Sequence, residues 1–408
     1  MTSRADPDRC PGVLRPHAAQ DGALLRIRIP GGRIGAAALR ALSQASTEYA
    51  DGDVGLTSRA NLQLRAVATT ADDTVAPGLV DALATAGLLP HPTHDRVRSI
   101  ACSPLTGLIG GHADLRPLID ELDAALCAAP ELAALPGPFR FGLDDGRGDI
   151  GVDADLSAQA LDATHARIWV GGLSGPRVPL PEVVPTLIEL AHRFVRQCAT
   201  GRPAWHVREL PRGGAELLAG PEVTPAARLG PGAPAPLGAL AQADGRATVS
   251  VLAPLGRLTP AQAGALADAA NGGELVVTPW RGVLVPDLDP AAAALVIDTL
   301  IAVGLVADGG SPWRGVTACA GAPRCARGTG DTEALARQVV AASTRSVSAG
   351  PVHVAGCARS CGRPSVAHTL AVIDRRRVHI QGPADPADDQ PLDHAAAAVA
   401  ATRAGASR

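Results

Sequence analysis

"VDALATAGLL" (Val80–Leu89) and "IDTLIAVGLV" (Ile297–Val306) match when laid together at an offset of 217 residues. Soon after them come "SIAC" (Ser99–Cys102) and "VTAC" (Val316–Cys319), at the same offset. Upstream, "GRI" (Gly32–Ile34) meets "GRL" (Gly256–Leu258), and "GLTSR" (Gly55–Arg59) resembles "VVTPWR" (Val276–Arg281) after a short gap. One internal duplication explains all these matches. Two copies imply a pseudo-two-fold pair of modules rather than a solenoid.

Each copy reads strand, helix, strand, strand, helix. In the first, "ALLRIRI" puts Leu25, Ile27 and Ile29 on one face and Arg26 and Arg28 on the other, the period of a strand. "GAAALRALSQASTEYA" has helical period, Asp51–Asp53 turns the chain, "VGLTSRANLQLRAV" reads as extended, and "PGLVDALATAGLL" closes the module. The second copy uses "ATVSVLAP", "TPAQAGALADAANGG", "ELVVTPWRGVLVP" and "PAAAALVIDTLIAVGLV". This order predicts an α+β fold with ferredoxin-like half-domains at residues 20–90 and 246–308. Longer segments follow them at 95–215 and 312–385. Residues 220–245 are rich in Pro, Gly and Ala and read as a linker. Residues 386–408 read as a low-complexity tail with a short helix.

The chain of 408 residues is long enough for two or three domains. It is 46% hydrophobic but only 2% aromatic, so its core is Ala, Val and Leu. A net charge of -3 argues against a nucleic-acid binder. All 37 basic residues are arginine, so no lysine ammonium can act as an acid or form a Schiff base. No apolar run suggests a membrane span, and "MTSRADPDRCPGVLRPH" has no apolar core of a signal peptide. Eight cysteines are too sparse for a secreted disulfide scaffold. A cytoplasmic protein with reduced thiols is expected.

Half of those cysteines fall in one tenth of the chain. "TACAGAPRC" (Thr317–Cys325) and "VAGCARSCGRP" (Val354–Pro364) set Cys319 and Cys325 at C-x5-C, then Cys357 and Cys361 at C-x3-C, with 31 residues between the pairs. Four readings compete. Disulfides conflict with a reducing compartment. Structural zinc favours knuckles with two to four residues between ligands, so C-x5-C is loose for it. Chance burial explains one or two thiols, not this set. An iron–sulfur cluster needs four thiolates on convergent loops and tolerates varied spacing. Gly321, Gly328, Gly356 and Gly362 permit close approach of backbone amides to inorganic sulfide, Pro323 and Pro364 stiffen the loops, and Arg314, Arg324, Arg327, Arg359 and Arg363 add positive charge.

The two cysteine pairs and the duplication together resemble the sulfite and nitrite reductase superfamily. The resemblance spans about residues 20–385. It implies two ferredoxin-like half-domains, each followed by an α/β sulfite-reductase-like domain. It also implies a [4Fe-4S] cluster on Cys319, Cys325, Cys357 and Cys361, with Cys361 nearest a second redox centre. "LTSRANLQL" resembles the segment whose arginine contacts tetrapyrrole carboxylates, which assigns Arg59. Were Arg59–Arg65 one strand, Arg59, Asn61, Gln63 and Arg65 would share a face opposite Leu62 and Leu64, a row of donors suited to a polyanion. A solvated strand face is the bland alternative. "RVRSIACSP" similarly assigns Arg98 to the pocket. Cys102 matches Cys319 but Leu108 fills the next slot, so the first copy is expected to carry no cluster.

"LPGPFRFGLDD" (Leu135–Asp145) resembles the stretch that carries two active-site lysines in sulfite reductases, and here those places hold Pro138 and Arg140. Arginine keeps charge but is a poor proton donor. The better resemblance is to the superfamily's precorrin-3B synthase branch, oxygen-dependent enzymes of aerobic cobalamin biosynthesis. That branch implies precorrin-3A as substrate, O2 as co-substrate, and C20 hydroxylation with γ-lactone formation. It implies electrons from an external reductase or ferredoxin fed by NAD(P)H, since no G-x-G-x-x-G follows a strand here. A mononuclear non-haem iron is a further cofactor of that branch. No clear motif marks its ligands; His91, His94, Asp95 and His206 are candidates, against the plainer reading of loop histidines. Two alternatives stay open: a sirohaem-dependent sulfite or nitrite reductase, and a non-catalytic carrier that binds a cluster or tetrapyrrole. The expected substrate-binding set is Arg59, Asn61, Arg65, Arg98 and Arg140.

Overall fold

The computed structural model describes residues 8–70, 72, 74–150, 154–201, 203–218, 235–344, 349–383 and 388–405. The string that betrays the duplication encodes one helix end, used twice. The helices Pro77–Thr85 and Ala293–Ala302 both run out into a left-handed glycine, Gly87 at φ +72° and Gly304 at φ +90°. The next residue bonds back five positions, Leu88 N–H to the Leu83 carbonyl at 2.9 Å and Leu305 N–H to the Leu300 carbonyl at 3.0 Å. This is a Schellman stop, and it needs the glycine because only glycine takes positive φ without a Cβ penalty.

Each half-domain builds a four-stranded antiparallel sheet from its own chain, and the other half supplies a fifth strand. In the first sheet the order is His17–Ala19, Gly22–Ile27, Leu62–Val67, Val54–Leu56 and then Arg257–Leu258 of the second copy. In the second it is Gly238–Ala241, Ala247–Leu252, Gly282–Leu288, Glu274–Val277 and then Arg33–Gly35 of the first copy. The exchange is reciprocal: Arg257 lies opposite Gly55, and Ile34 opposite Leu275. Leu25, Ile27, Leu62 and Leu64 of one half join Val249, Val251, Val283 and Val285 of the other in one continuous core, as the alternation of "ALLRIRI" requires. Arg33 pairs with Glu274 and Asp120, and Arg257 with Asp51 and Asp53, at 2.6–2.9 Å. Such partly exposed pairs contribute about 1 kcal/mol or less each. The shared core, not the ion pairs, holds the halves together.

The two following domains repeat one topology. In the first, Ile100–Cys102, Phe141–Asp144 and Leu156–Ala160 run parallel, then His165–Val170 and Leu173–Pro179 return antiparallel. In the second, Val316–Ala318, Val352–Ala355 and Thr369–Asp374 run parallel, then Arg377–Gln381 and Asp388–Pro391 return. The helices Arg116–Ala128 and Val183–Thr200 cover the first sheet, and Thr332–Ala342 and Ala395–Gly405 pack on the second. The duplicated α+β architecture expected from sequence is the architecture found.

Two boundaries differ from that expectation. Of the expected linker 220–245, residues 220–234 lie outside the described residues, and Gly238–Ala241 is an edge strand paired with Ala247–Ser250. Small residues suit such an edge as well as they suit a linker. Of the expected tail 386–408, residues 386–387 and 406–408 lie outside the described residues. The rest is structured: Ala395, Val399 and Arg403, spaced by four, form the buried stripe of the closing helix. Arg403 is only 1% exposed and donates to the carbonyls of Gly350 at 2.7 Å, Pro312 at 2.6 Å, and Arg314. It ties the helix to the start of the cysteine-bearing domain. Arg403→Met is expected to destabilise that domain by roughly 2–4 kcal/mol, because it orphans several buried carbonyls at once. Urea unfolding followed by far-UV dichroism checks this; an unchanged midpoint would refute it.

Candidate functional site

Because Val316–Ala318 and Val352–Ala355 are parallel neighbours, their carboxyl ends stop side by side. Cys319 leaves the first strand with its N–H still on the Val354 carbonyl at 2.9 Å, and Gly356 N–H donates to Cys319 Sγ at 3.2 Å. Cys357 follows directly. All four thiols are free; Cys319, Cys325 and Cys357 are half-buried and Cys361 is exposed. Gly328 and Gly356 also have a packing role. A Cβ on Gly328 would lie 2.7 Å from the Ala322 nitrogen, and one on Gly356 would lie 3.1 Å from Gly328 Cα. They let the two cysteine loops stack backbone on backbone. Thr332 Oγ1 donates to the Cys319 carbonyl at 2.6 Å, and Thr329 N–H to the Gly356 carbonyl at 3.0 Å. Of the five arginines, Arg324 is tied to Glu333 while Arg327, Arg359 and Arg363 are exposed.

The first copy shows what the same frame does without cysteines. Ser103 N–H bonds the Leu143 carbonyl at 3.0 Å as Cys319 N–H bonds Val354, and Ile109 N–H bonds Leu105 at 3.0 Å as Cys325 N–H bonds Gly321 at 2.7 Å. The counterparts of Cys319 and Cys325 are therefore Ser103 and Ile109, one residue beyond the Cys102 and Leu108 of the identity match. Cys102 instead packs in the core, 2% exposed, where burial pushes its thiol well above the usual range. The loop is closed by Asp144, whose carboxylate accepts from the Gly146, Gly148 and Ile150 amides at 2.8–3.0 Å.

On the other side of the first half-domain, arginines converge. Arg59 sits in the Thr57–Ala60 turn between two strands, not on a strand; its N–H and that of Asn61 donate to Thr57 Oγ1, and Ala60 takes φ +53°. Burial first, then the charges of Arg140 and Arg26, bring the Arg59 pKa down to about 10. Arg28, only 2% exposed, is also brought down to about 10 by burial. It is held by Ser99 Oγ, the Pro11 and Asp95 carbonyls, and Cys10 Sγ. Arg26 Nη1 also reaches Cys10 Sγ at 3.6 Å. Asp155 positions Arg140 through its N–H at 3.0 Å and holds His206 Nδ1 at 3.2 Å. Among the described residues Arg26, Arg28 and Arg59 have no carboxylate partner within salt-bridge distance. Desolvated like charges repel, so a polyanion placed among them would stabilise this cluster. Arg26 and Arg28 stand beside Arg59 although the sequence reading did not group them with it; their place on the polar face of "RIR" was the available signal.

Three expected pocket residues are engaged by the protein itself. Asn61 is buried and its Oδ1 accepts from the Ile29 N–H at 3.1 Å, pinning the turn to the neighbouring strand. Arg65 is clasped by Asp21 at 3.1–3.2 Å across the hairpin. Arg98 is buried against helix Arg116–Ala128, in a bidentate pair with Asp123 at 2.6 and 2.7 Å. The strand reading failed because the chain turns at Ala60, so the row of donors never forms. Arg98→Ala is expected to cost roughly 1.5–3 kcal/mol of stability, the loss of charged hydrogen bonds, and to leave ligand affinity unchanged. Thermal unfolding beside a ligand titration tests both halves of that statement.

Three of the four candidate iron ligands, His94, Asp95 and His206, are committed elsewhere. His94 bonds Thr93 Oγ1 and the Ala129 carbonyl, and the Asp95 carboxylate accepts from the Val13 and Leu14 amides. No three His, Cys, Asp or Glu side chains among the described residues stand close enough together to hold a single metal ion. They do not fit a mononuclear iron. The cysteines face no such bar, because a four-iron cube takes one thiolate at each of four separate corners.

The family model of the nitrite/sulfite reductase ferredoxin-like half domain matches residues 16–76 and 240–303, the stretches that build the two interlocked sheets. It is 27% identical over 380 residues to the precorrin-3B synthase of a Sinorhizobium species, which covers 87% of this chain and 78% of the relative. It is 26% identical over 387 residues to the ferredoxin–nitrite reductase of Synechococcus elongatus, covering 84% and 75%. The solved structure of the Mycobacterium tuberculosis NirA protein shares the fold, with a TM-score of 0.69 at 20% identity over 91% of this chain and 78% of that one. The relatives are enzymes of oxidoreductase type. No helix among the described residues is long and apolar enough to cross a membrane.

Proposed function

We propose that this chain is a precorrin-3B synthase-like monooxygenase that hydroxylates a tetrapyrrole at C20 and closes a γ-lactone. The observation that carries the reading is the arginine cluster, Arg26, Arg28, Arg59 and Arg140, drawn from the half-domain and the domain after it, with Pro138 and Arg140 where sulfite reductases would hold lysines. The substrate class is rich in carboxylates, and guanidinium groups bind carboxylates in bidentate forks. Arg59 and Arg26 grip peripheral carboxylates. Asp155 fixes the backbone of Arg140, and the Arg140 guanidinium joins the cluster beside Arg59. When bound by Cys319, Cys325, Cys357 and Cys361, a [4Fe-4S] cluster supplies electrons one at a time from an external reductase or ferredoxin fed by NAD(P)H. The overall balance is O2 plus two electrons and two protons, with one oxygen atom to C20 and the other to water. Water or a nearby carboxylic acid delivers the two protons.

The runner-up is a sirohaem-dependent sulfite or nitrite reductase, favoured by the Synechococcus relative. Sulfite reduction consumes six electrons and needs repeated proton delivery. Arginine holds its proton too tightly for that, and the chain has no lysine. The protein is therefore expected to form no useful sulfide from sulfite with reduced viologen, even when sirohaem is supplied, and to convert precorrin-3A in air. Sulfide production without a hydroxylated tetrapyrrole would reverse the order of the two readings. A loaded protein that binds precorrin-3A and never turns it over would instead be a carrier. The visible spectrum gives a first answer, since sirohaem adds strong Soret and red bands to the broad absorption of a cluster.

A further inference from the structure

The turn Thr278–Arg281 of the second half-domain repeats the turn Thr57–Ala60 of the first. Arg281 N–H bonds the Thr278 carbonyl at 3.0 Å as Ala60 N–H bonds Thr57 at 3.1 Å, and the Gly282 and Asn61 amides both reach the threonine Oγ1 at 3.1 Å. Arg281 thus occupies the place of Ala60, and both are left-handed, at φ +62° and +53°. A large residue is uncommon there. Its side chain runs over Gly256, where a Cβ would lie 2.6 Å from Arg281 Cδ, to Gly362, where a Cβ would lie 3.7 Å from Nη2. Gly362 directly follows Cys361.

The guanidinium arrives there without a counter-charge. Nη1 is buried and has no hydrogen-bond partner, and among the described residues Arg281 has no ion pair. Burial lowers its pKa, so the environment disfavours its charge. His353 lies on the strand that leads into Cys357. A desolvated cation with an orphaned donor is costly unless an anion stands beside it. Four thiolates on a cluster make such an anion.

We propose that Arg281 is a positioning residue for the cluster, a fixed positive charge from the second half-domain that raises the cluster's reduction potential. This rests on the cluster reading given above. Reduction adds one negative charge to the cluster, so a nearby buried cation stabilises the reduced state more than the oxidised one. The duplication then explains the asymmetry of the two turns. The copy beside the cysteines carries the arginine, and the copy beside the carboxylate-closed loop carries alanine.

The test uses the full chain with its cluster loaded: iron and acid-labile sulfide assays, then a redox titration followed by electron paramagnetic resonance. In Arg281→Met, at the potential where the wild type is half reduced, the ratio of reduced to oxidised cluster is expected to fall at least tenfold, which is 59 mV for a one-electron couple. Arg281→Lys keeps the charge and is expected to stay within about twofold of wild type. A fully loaded Arg281→Met protein with the wild-type potential overturns the proposal, as does an Arg281→Lys protein that shifts as far as Arg281→Met. If Arg281→Met fails to load, Arg281→Gln decides. Loss of the cluster in both neutral variants with retention in Arg281→Lys supports the charge, and loss in all three overturns it. A wild-type protein without iron and sulfide sinks the cluster reading itself, whereas a loaded wild type with an indifferent Arg281 sinks this inference alone.

Discussion

Cys357→Ser is expected to leave purification with its iron and acid-labile sulfide stripped or strongly depleted, and Cys319→Ser, Cys325→Ser and Cys361→Ser with it. Cys10→Ser, Cys127→Ser and Cys198→Ser are expected to stay loaded. The division follows from position. The first four thiols sit on two loops whose glycine backbones touch, at the ends of adjacent parallel strands. The other three sit elsewhere: Cys10 between Arg26 and Arg28, Cys127 on the helix behind Arg98, and Cys198 near the Ala204 carbonyl. A serine hydroxyl keeps the size of the thiol but is a poor iron ligand, so the effect reads ligation rather than packing. Cys319→Ser also changes the acceptor for the Gly356 amide, and its effect is expected to be at least as large as the others. A Cys357→Ser protein with full iron and sulfide would remove the assignment.

Arg59→Ala is expected to weaken tetrapyrrole binding roughly ten- to a hundred-fold, corresponding to about 1.5–3 kcal/mol for one charge-assisted hydrogen bond. Iron and sulfide content should not move. Arg59 has no carboxylate to lose, and its neighbours Arg140 and Arg26 disfavour its charge, so the free protein is expected to become no less stable. That sign separates it from Arg98, whose pair with Asp123 makes its removal a folding defect instead. Titration of precorrin-3A or a stable analogue into both variants measures the contrast. Equal affinity in Arg59→Ala and wild type would mean that the arginine cluster does not line the site.

The duplication was legible because it rests on a local device. A glycine-stopped helix end is written in consecutive residues, so "AGLL" and "VGLV" announce it without any knowledge of the fold. The four cysteines were legible for the same reason. Strand exchange was not, because Arg33–Gly35 and Arg257–Leu258 are too short to show a period. The arginine cluster was legible in part. Alternation gave the polar face of Arg26 and Arg28, and resemblance gave Arg59 and Arg140. Yet Asp123 and Asp21, which claim Arg98 and Arg65, lie 25 and 44 positions away in sequence, and nothing local couples them. Identity also misplaced the internal match by one residue, because it aligned Cys102 with Cys319 while the backbone ladder aligns Ser103.

The reciprocal edge strands carry a history. Two identical chains that traded short edge strands across a two-fold axis would form the same pair of interlocked sheets, since an isologous contact uses one surface twice. Joining those chains end to end preserves the contact and abolishes the need for the two sites to be alike. After that, each half is free to lose what the other retains. The later half keeps four thiols and an arginine in its turn. The earlier half closes its loop with a carboxylate, puts alanine in the turn, and gathers unpaired cations. A symmetric ancestor with two equivalent centres thus becomes one molecule with a division of labour.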